Sequence, residues 1–168
     1  MKVRGILLGL VLVFCFGRGF AGALALENVV GAAASGDVAF APESSGMSAE
    51  ILKYVNEYRH SKGLKPLQAN SFISSVALDH SRDMLSGKTP FGHDGFRSRI
   101  DRIKKRLGPI HVAAENVASG PMGAREVVDG WLHSPGHRRN IEGDFRLTGI
   151  GLAYGKRGMI YFTQIFTK

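Results

Sequence analysis

The chain of 168 residues contains one cysteine, one tryptophan and six prolines. A single cysteine excludes an internal disulfide framework, so any fold must rest on packing alone. Charged residues make up 21% and apolar ones 44%, which excludes a disordered or collagen-like chain. No H-E-x-x-H, C-x-x-C, G-x-S-x-G or phosphate-cradling glycine loop occurs, so the common signatures of metallopeptidases, redox proteins, serine hydrolases and nucleotide-binding proteins are missing. No repeat of 20–50 residues is visible. At this length one domain plus a leader is expected.

What is present starts with a leader. Lys2 and Arg4 precede an apolar stretch from Ile6 to Phe16, and Ala21-Gly22-Ala23 and Ala23-Leu24-Ala25 follow. This is the pattern of a secretory signal peptide over 1–25, and the apolar run is short for a membrane span. An uncleaved leader acting as an anchor is the alternative. Cys15 lies inside the apolar stretch, so a cleaved chain carries no thiol. Twenty-two lysines and arginines against 14 acids give +8. Loss of Lys2, Arg4 and Arg18 with the leader reduces this to +5, a charge compatible with anionic envelope polymers or lipid headgroups. Export makes nucleic acid an unsuitable partner. Residues 26–46 are small and weakly patterned and read as a flexible tether, with the domain over 47–168.

Within the domain, Ile51, Val55 and Tyr58 share a helical face that ends at Gly63, and Ile73, Val76, Ala77, His80 and Met84 share another that ends at Gly87. Phe96, Ile100, Ile103 and Leu107 mark a third helix closed by Gly108-Pro109. The segment 111–118 reads as a strand, and 124–133 as a helix through Val127, Val128 and Trp131. Ser134-Pro135 opens a short helical turn to Ile141. Thr148 to Tyr154 and Met159 to Phe166 alternate around Gly155-Lys156-Arg157-Gly158, which predicts a hairpin. The order argues for an α+β fold, helices packed on a roughly three-stranded antiparallel sheet.

Six histidines occur. His60 reads as a solvated residue, His80 as a hydrogen-bonded core residue, and His133 as a cation near a helix C-terminus. His93 and His137 instead stand in glycine-flanked junctions, Phe91-Gly92-His93-Asp94-Gly95 and Pro135-Gly136-His137. Glu115 and Glu126 lie in apolar stretches, where a carboxylate must be paired, protonated or metal-bound. Spacing alone does not join these four.

Ordered motifs do. Asn56, Arg59 and Gly63-Leu64-Lys65-Pro66-Leu67 resemble N-x-x-R-x-x-x-G-L-x-P-L, and His80-Ser81-Arg82-Asp83-Met84 resembles H-S-x-D-M. Phe91-Gly92-His93-Asp94-Gly95 resembles F-S-H-x-G, and Ala114-Glu115-Asn116-Val117-Ala118 resembles G-E-N-I-A. Glu126-Val127-Val128, Trp131, Ser134-Pro135-Gly136-His137-Arg138 and Asn140-Ile141 resemble E-x-V-x-x-W-x-x-S-P-G-H-R-x-N-I, and Tyr161 to Phe166 resembles Y-W-T-Q-x-F. From Ile51 to Phe166 the chain resembles a bacterial member of the CAP superfamily, the SCP domain of cysteine-rich secretory proteins, antigen 5 and pathogenesis-related 1. Gly92 and Ala114 depart from its usual Ser and Gly.

The resemblance implies an α-β-α sandwich and a cleft in which His93, Glu115, Glu126 and His137 hold a divalent metal, zinc, with the glutamates ligating, orienting water or holding the rings. Imidazole nitrogen and carboxylate oxygen suit zinc. The expected function is a secreted or periplasmic, non-catalytic, monomeric binding module for a lipid, peptide or anionic cell-envelope component. The alternative is a zinc-dependent hydrolase or peptidase with Glu115 or Glu126 as general base. The basic run Arg97, Arg99, Arg102, Lys104, Lys105 and Arg106, offset only by Asp101, reads as the solvated side of the third helix, with docking of an anionic partner such as teichoic acid, lipopolysaccharide or phospholipid, and so possible membrane-surface contact, as the other reading.

Overall fold

The computed structural model describes residues 7–8, 12–15 and 42–168, with side chains from Gly46 onward. The element order is β1 (Leu7–Leu8), β2 (Leu12–Cys15), α1 (Pro42–Ser61), β3 (Gln68–Ala69), α2 (Ser71–Ser86), α3 (Phe96–Leu107), β4 (Val112–Gly120), α4 (Ala124–His133), α5 (Pro135–Glu142), β5 (Leu147–Tyr154), a 3-10 turn (Lys156–Gly158) and β6 (Ile160–Thr167). The signal peptide expected over 1–25 and the tether over 26–46 lie outside the described residues, apart from β1, β2 and the start of α1. α1 begins at Pro42, ahead of the expected domain start at Met47.

The sheet runs β1-β4-β6-β5-β3, with β2 also on β4. Its centre is the expected antiparallel trio: β4 pairs β6 with Glu115 opposite Ile165, and β6 pairs β5 with Ile165 opposite Gly149. The roughly three-stranded antiparallel sheet needs extending at both edges. β3 joins β5 in parallel, Gln68 opposite Leu147, and β1 and β2 join β4 antiparallel. A two-residue strand such as Gln68–Ala69 is too short to show a period of two, so it carries no sequence signature.

Helices cover both faces of the sheet. One layer is α1, α4 and α5, which bury Ile51, Val55, Val127, Val128, Trp131 and Ile141 against Phe162 and Phe166. The other is α2 and α3, which bury Ile73, Val76, Ala77, Ile100 and Ile103 against Ala113 and Ile165. Side chains alternate across a strand, so neighbouring residues of β4 and β6 serve opposite layers. Full burial of each large apolar side chain contributes about 1.5–3 kcal/mol, which makes these two layers the main support of the fold.

Local chemistry sets the edges of the helices. Asn70 Oδ1 accepts the Ile73 amide (3.1 Å), capping α2, and Gly87 ends it at φ 74°. α2 lies so close to β5 that a Cβ on Gly151 would stand 2.0 Å from the Leu78 nitrogen. Ser81 Oγ, fully buried on α2, donates to the Gly151 carbonyl (3.0 Å) and contacts Thr163 Oγ1 (2.8 Å). In the opposite layer Asn56 pairs both backbone groups of Leu67, donating to its carbonyl (3.0 Å) and accepting its amide (2.8 Å). Buried Arg59 donates to the carbonyls of Lys65 (2.8 Å), Ile141 (2.6 Å) and Gly143 (2.9 Å), joining α1 to the end of α5.

Candidate functional site

The site is built around Glu115, in the middle of β4. Its side chain is fully buried, on the sheet face covered by α2 and α3. A carboxylate so placed must be compensated, and three side chains compensate it. His93 Nδ1 donates to Oε1 (2.9 Å), Arg99 Nη2 to Oε1 (2.7 Å) and Arg99 Nε to Oε2 (2.8 Å). His80 Nε2 stands 3.9 Å from Oε1. Burial alone would push the Glu115 carboxyl up, but the His93 hydrogen bond and the Arg99 guanidinium more than offset it and hold it below the usual carboxylate range.

The loop between α2 and α3 delivers His93. Gly92 has φ 148°, a conformation side chains resist, and its carbonyl faces His80 Nε2 at 2.8 Å. Because a carbonyl only accepts, Nε2 of His80 carries the proton there. Burial pushes the His80 pKa down from 6.5, and the charges of Arg99 and His93 act in the same direction; Glu115 and the Gly92 carbonyl oppose them. Arg99 also donates to the Asp94 carbonyl (2.7 Å) from Nη1, so one guanidinium fastens both the carboxylate and the histidine loop.

Of the four residues expected together, the structure pairs His93 with Glu115. His137 is fully buried on α5, in the other helical layer, and its carbonyl accepts from Asn116 Nδ2 (3.2 Å). Asn140 of α5 donates to the Glu115 carbonyl (3.1 Å) and to Asn116 Oδ1 (2.9 Å). The His137 helix is therefore tied to the Glu115 carbonyl and to the Asn116 side chain. Glu126 is exposed, and its Oε2 accepts the Gly123 amide (2.8 Å) at the start of α4, the glutamate half of a capping box. The structure gives it the job of a helix cap. Among cavities lined by described residues, one of about 290 Å³ lies beside Leu52, Ala69 and Ile150 and one of about 620 Å³ beside Lys65, Asp144 and Arg146; none of the four residues lines either.

Two partners of the site were not singled out from the sequence. His80 was read as a hydrogen-bonded core residue, which it is, but its bond holds the histidine loop. Arg99 was grouped with a solvated basic face, yet its side chain is only 12% exposed. Its signal was positional: it stands three residues after Phe96 and four before Ile103, on the stripe those buried residues define. Arg102 is exposed and pairs with Asp79 (2.6 Å), as the solvated reading expects.

The donors can be tested against a metal. Among the described residues, no three His, Cys, Asp or Glu side chains are grouped to hold an ion. Glu115 does not fit as a ligand, since both its oxygens are committed to Arg99. His93 fits: with Nδ1–H on a carboxylate, the neutral ring keeps a lone pair on Nε2, and this buried atom has no hydrogen-bond partner. A carboxylate behind the ring of a ligating histidine is a common metal-site arrangement.

Comparison with known proteins agrees with this architecture. The family model of the cysteine-rich secretory protein family, CAP, matches residues 52–166, and the chain belongs to that family. The uncharacterized protein YkwD of Bacillus subtilis (strain 168) is 35% identical over 131 residues, 76% of this chain and 50% of YkwD. The uncharacterized membrane protein YlbC of the same organism is 32% identical over 124 residues, 71% of this chain and 34% of YlbC. The chain thus spans half or less of these relatives. An extracellular SCP-domain protein of Bacillus anthracis superposes with a TM-score of 0.62 at 26% identity, over 77% of this chain and 44% of that one. An outer surface protein of Borrelia burgdorferi shares the fold with a TM-score of 0.59 at 23% identity, over 70% of this chain and 89% of that one. Among the described residues, no helix is long and apolar enough to cross a membrane.

Proposed function

We propose that this chain is an exported, non-catalytic CAP-domain binding module that holds a divalent metal, zinc, through His93, with His137 as the second ligand that the family resemblance supplies, and recognises a peptide, lipid or anionic envelope component. The extracellular SCP-domain relative and the leader support the location. The observation that carries the metal is the Glu115–His93 bond with the unpartnered Nε2 behind it. Imidazole nitrogen is a favoured zinc donor. Bound zinc would supply Lewis acidity, an electrophilic point for an oxygen or nitrogen of a partner. The chain's own part is to keep the ring oriented: Glu115 fixes its tautomer, Arg99 fixes Glu115, and His80 fixes the loop.

The same geometry disfavours the hydrolase reading. A general base works best with a pKa near the operating pH, and Glu115 is held below the ordinary carboxylate range by a guanidinium gripping both oxygens. Glu126 is spent on a helix cap. Elemental analysis of the purified chain after dialysis against trace zinc tests the proposal. Zinc should stay with the wild type and with Glu126→Gln, and leave with His93→Ala or His137→Ala. Equal zinc in wild type and the double histidine variant overturns it. Peptide cleavage lost on Glu115→Gln would restore the enzyme.

A further inference from the structure

β4 ends the antiparallel trio, and its outer side is a row of backbone groups. Val112 donates to the Lys168 carbonyl (3.4 Å) and accepts its amide (3.0 Å), so Val112 faces β6. Antiparallel ladders alternate; Ala113, Glu115, Val117 and Ser119 therefore turn their N–H and C=O groups outward. Two side chains from the other layer mark this edge: Asn140 donates to the Glu115 carbonyl (3.1 Å) and Trp131 Nε1 to the Val117 carbonyl (3.4 Å). The atoms on these carbonyls, Nδ2 and Nε1, only donate and leave the outward N–H groups to other partners, and a strand edge with such amides is a template for another strand.

In this chain that strand is its own N-terminal segment. β2 lies antiparallel with Leu12 opposite Glu115 and Phe14 opposite Ala113, and β1 places Leu7 opposite Ser119. All three rungs fall on outward-facing residues, as ladder pairing requires. The occupant is uncharged and apolar (Leu7, Leu8, Leu12, Val13, Phe14 and Cys15) and contains no proline. Glu115, the central rung, is also the residue whose side chain holds His93, so a strand on this edge passes beside the candidate metal site.

We infer that the outer edge of β4 is a receptor for an extended, uncharged, apolar peptide segment of a protein partner, added antiparallel across Ala113, Glu115 and Ser119, and that residues 7–8 and 12–15 fill it within the chain. The inference rests on the binding-module reading and chooses the peptide among its three ligand classes. Affinity comes from main-chain rungs, as in other strand-addition receptors. Loss of the leader would open the edge to a partner.

Amide hydrogen exchange on the full chain tests this. Leu12→Pro/Phe14→Pro removes the two donors that face Glu115 and Ala113. Exchange at the Ala113, Glu115 and Ser119 amides should then rise on the order of tenfold or more, while Phe162 and Gln164 of β6, which report the intact domain, stay protected. A lysine-flanked peptide carrying Leu-Val-Phe should restore protection at Ala113 and Glu115, and its version with proline for the central valine should not. Equal exchange in wild type and variant, or no restoration by the peptide, overturns the inference. Repeating the titration with zinc and with a chelator separates the two proposals. Peptide protection in a chain that retains no zinc sinks the metal alone; zinc without peptide protection sinks the strand receptor alone.

Discussion

Arg99 grips Glu115 through two parallel hydrogen bonds, Nε to Oε2 at 2.8 Å and Nη2 to Oε1 at 2.7 Å, across a separation of 16 residues. Arg99→Met leaves the buried carboxylate without its cation, which should cost about 3–5 kcal/mol. Arg99→Lys keeps the charge but loses the fork and the bond to Asp94, so it should fall between the two. Urea unfolding of the three chains checks the order; a methionine variant as stable as the wild type sinks the clamp.

His80 sets a pH dependence. Its pKa is lowered in the folded chain by burial, so the unfolded chain binds more protons on the acid side. Stability is then complete above about pH 6.5 and falls as the pH drops from there toward the lowered folded value. Glu115, also lowered, adds a second loss of the same sign in the range below about pH 4.5. Melting temperatures of wild type and His80→Gln between pH 5 and 8 should show a slope in the first and a flatter line in the second.

Two glycines should respond with opposite signs. Gly151→Ala forces a Cβ into the α2 backbone, 2.0 Å from the Leu78 nitrogen, and should cost about 3 kcal/mol or more, since the obstacle is backbone. Gly130→Ala, inside α4 with nothing within 4 Å of the new carbon, should gain about 0.5–1 kcal/mol. Thermal unfolding of both variants reads the contrast directly.

Arg59 is a structural counterpart of Arg99 in the other layer. It donates to three backbone carbonyls and is almost wholly buried. Arg59→Ala leaves those carbonyls without donors and should lower stability by about 3 kcal/mol, at the order of 1 kcal/mol per bond. Protection of the Gly143 and Phe145 amides should fall before that of β6, because the lost bonds hold the α5–β5 connection.

Much of the fold was legible residue by residue. The faces of α2, α3 and α4, the strand at Val112 and the C-terminal hairpin follow from spacing and turn chemistry, because these patterns act within a few residues of one another. The edge strands were not, since a two-residue strand has no period. In the site, His93 and Glu115 were legible as unusual residues in their surroundings, and the family motifs put them together. Glu126 looked equally unusual, yet its partner is the amide three residues before it, and it lies on the exposed side of α4.

The amino-acid order by itself determined the family, the layer architecture and the presence of a polar residue in each glycine-flanked junction. Only the tertiary structure decided that Glu115 answers to Arg99 and His93, that His80 holds the loop, and that the outer edge of β4 takes a strand. The reason is range. Periodicity and capping are set by neighbours along the chain, whereas the compensation of a buried charge depends on which distant side chain the packed layers bring within 3 Å.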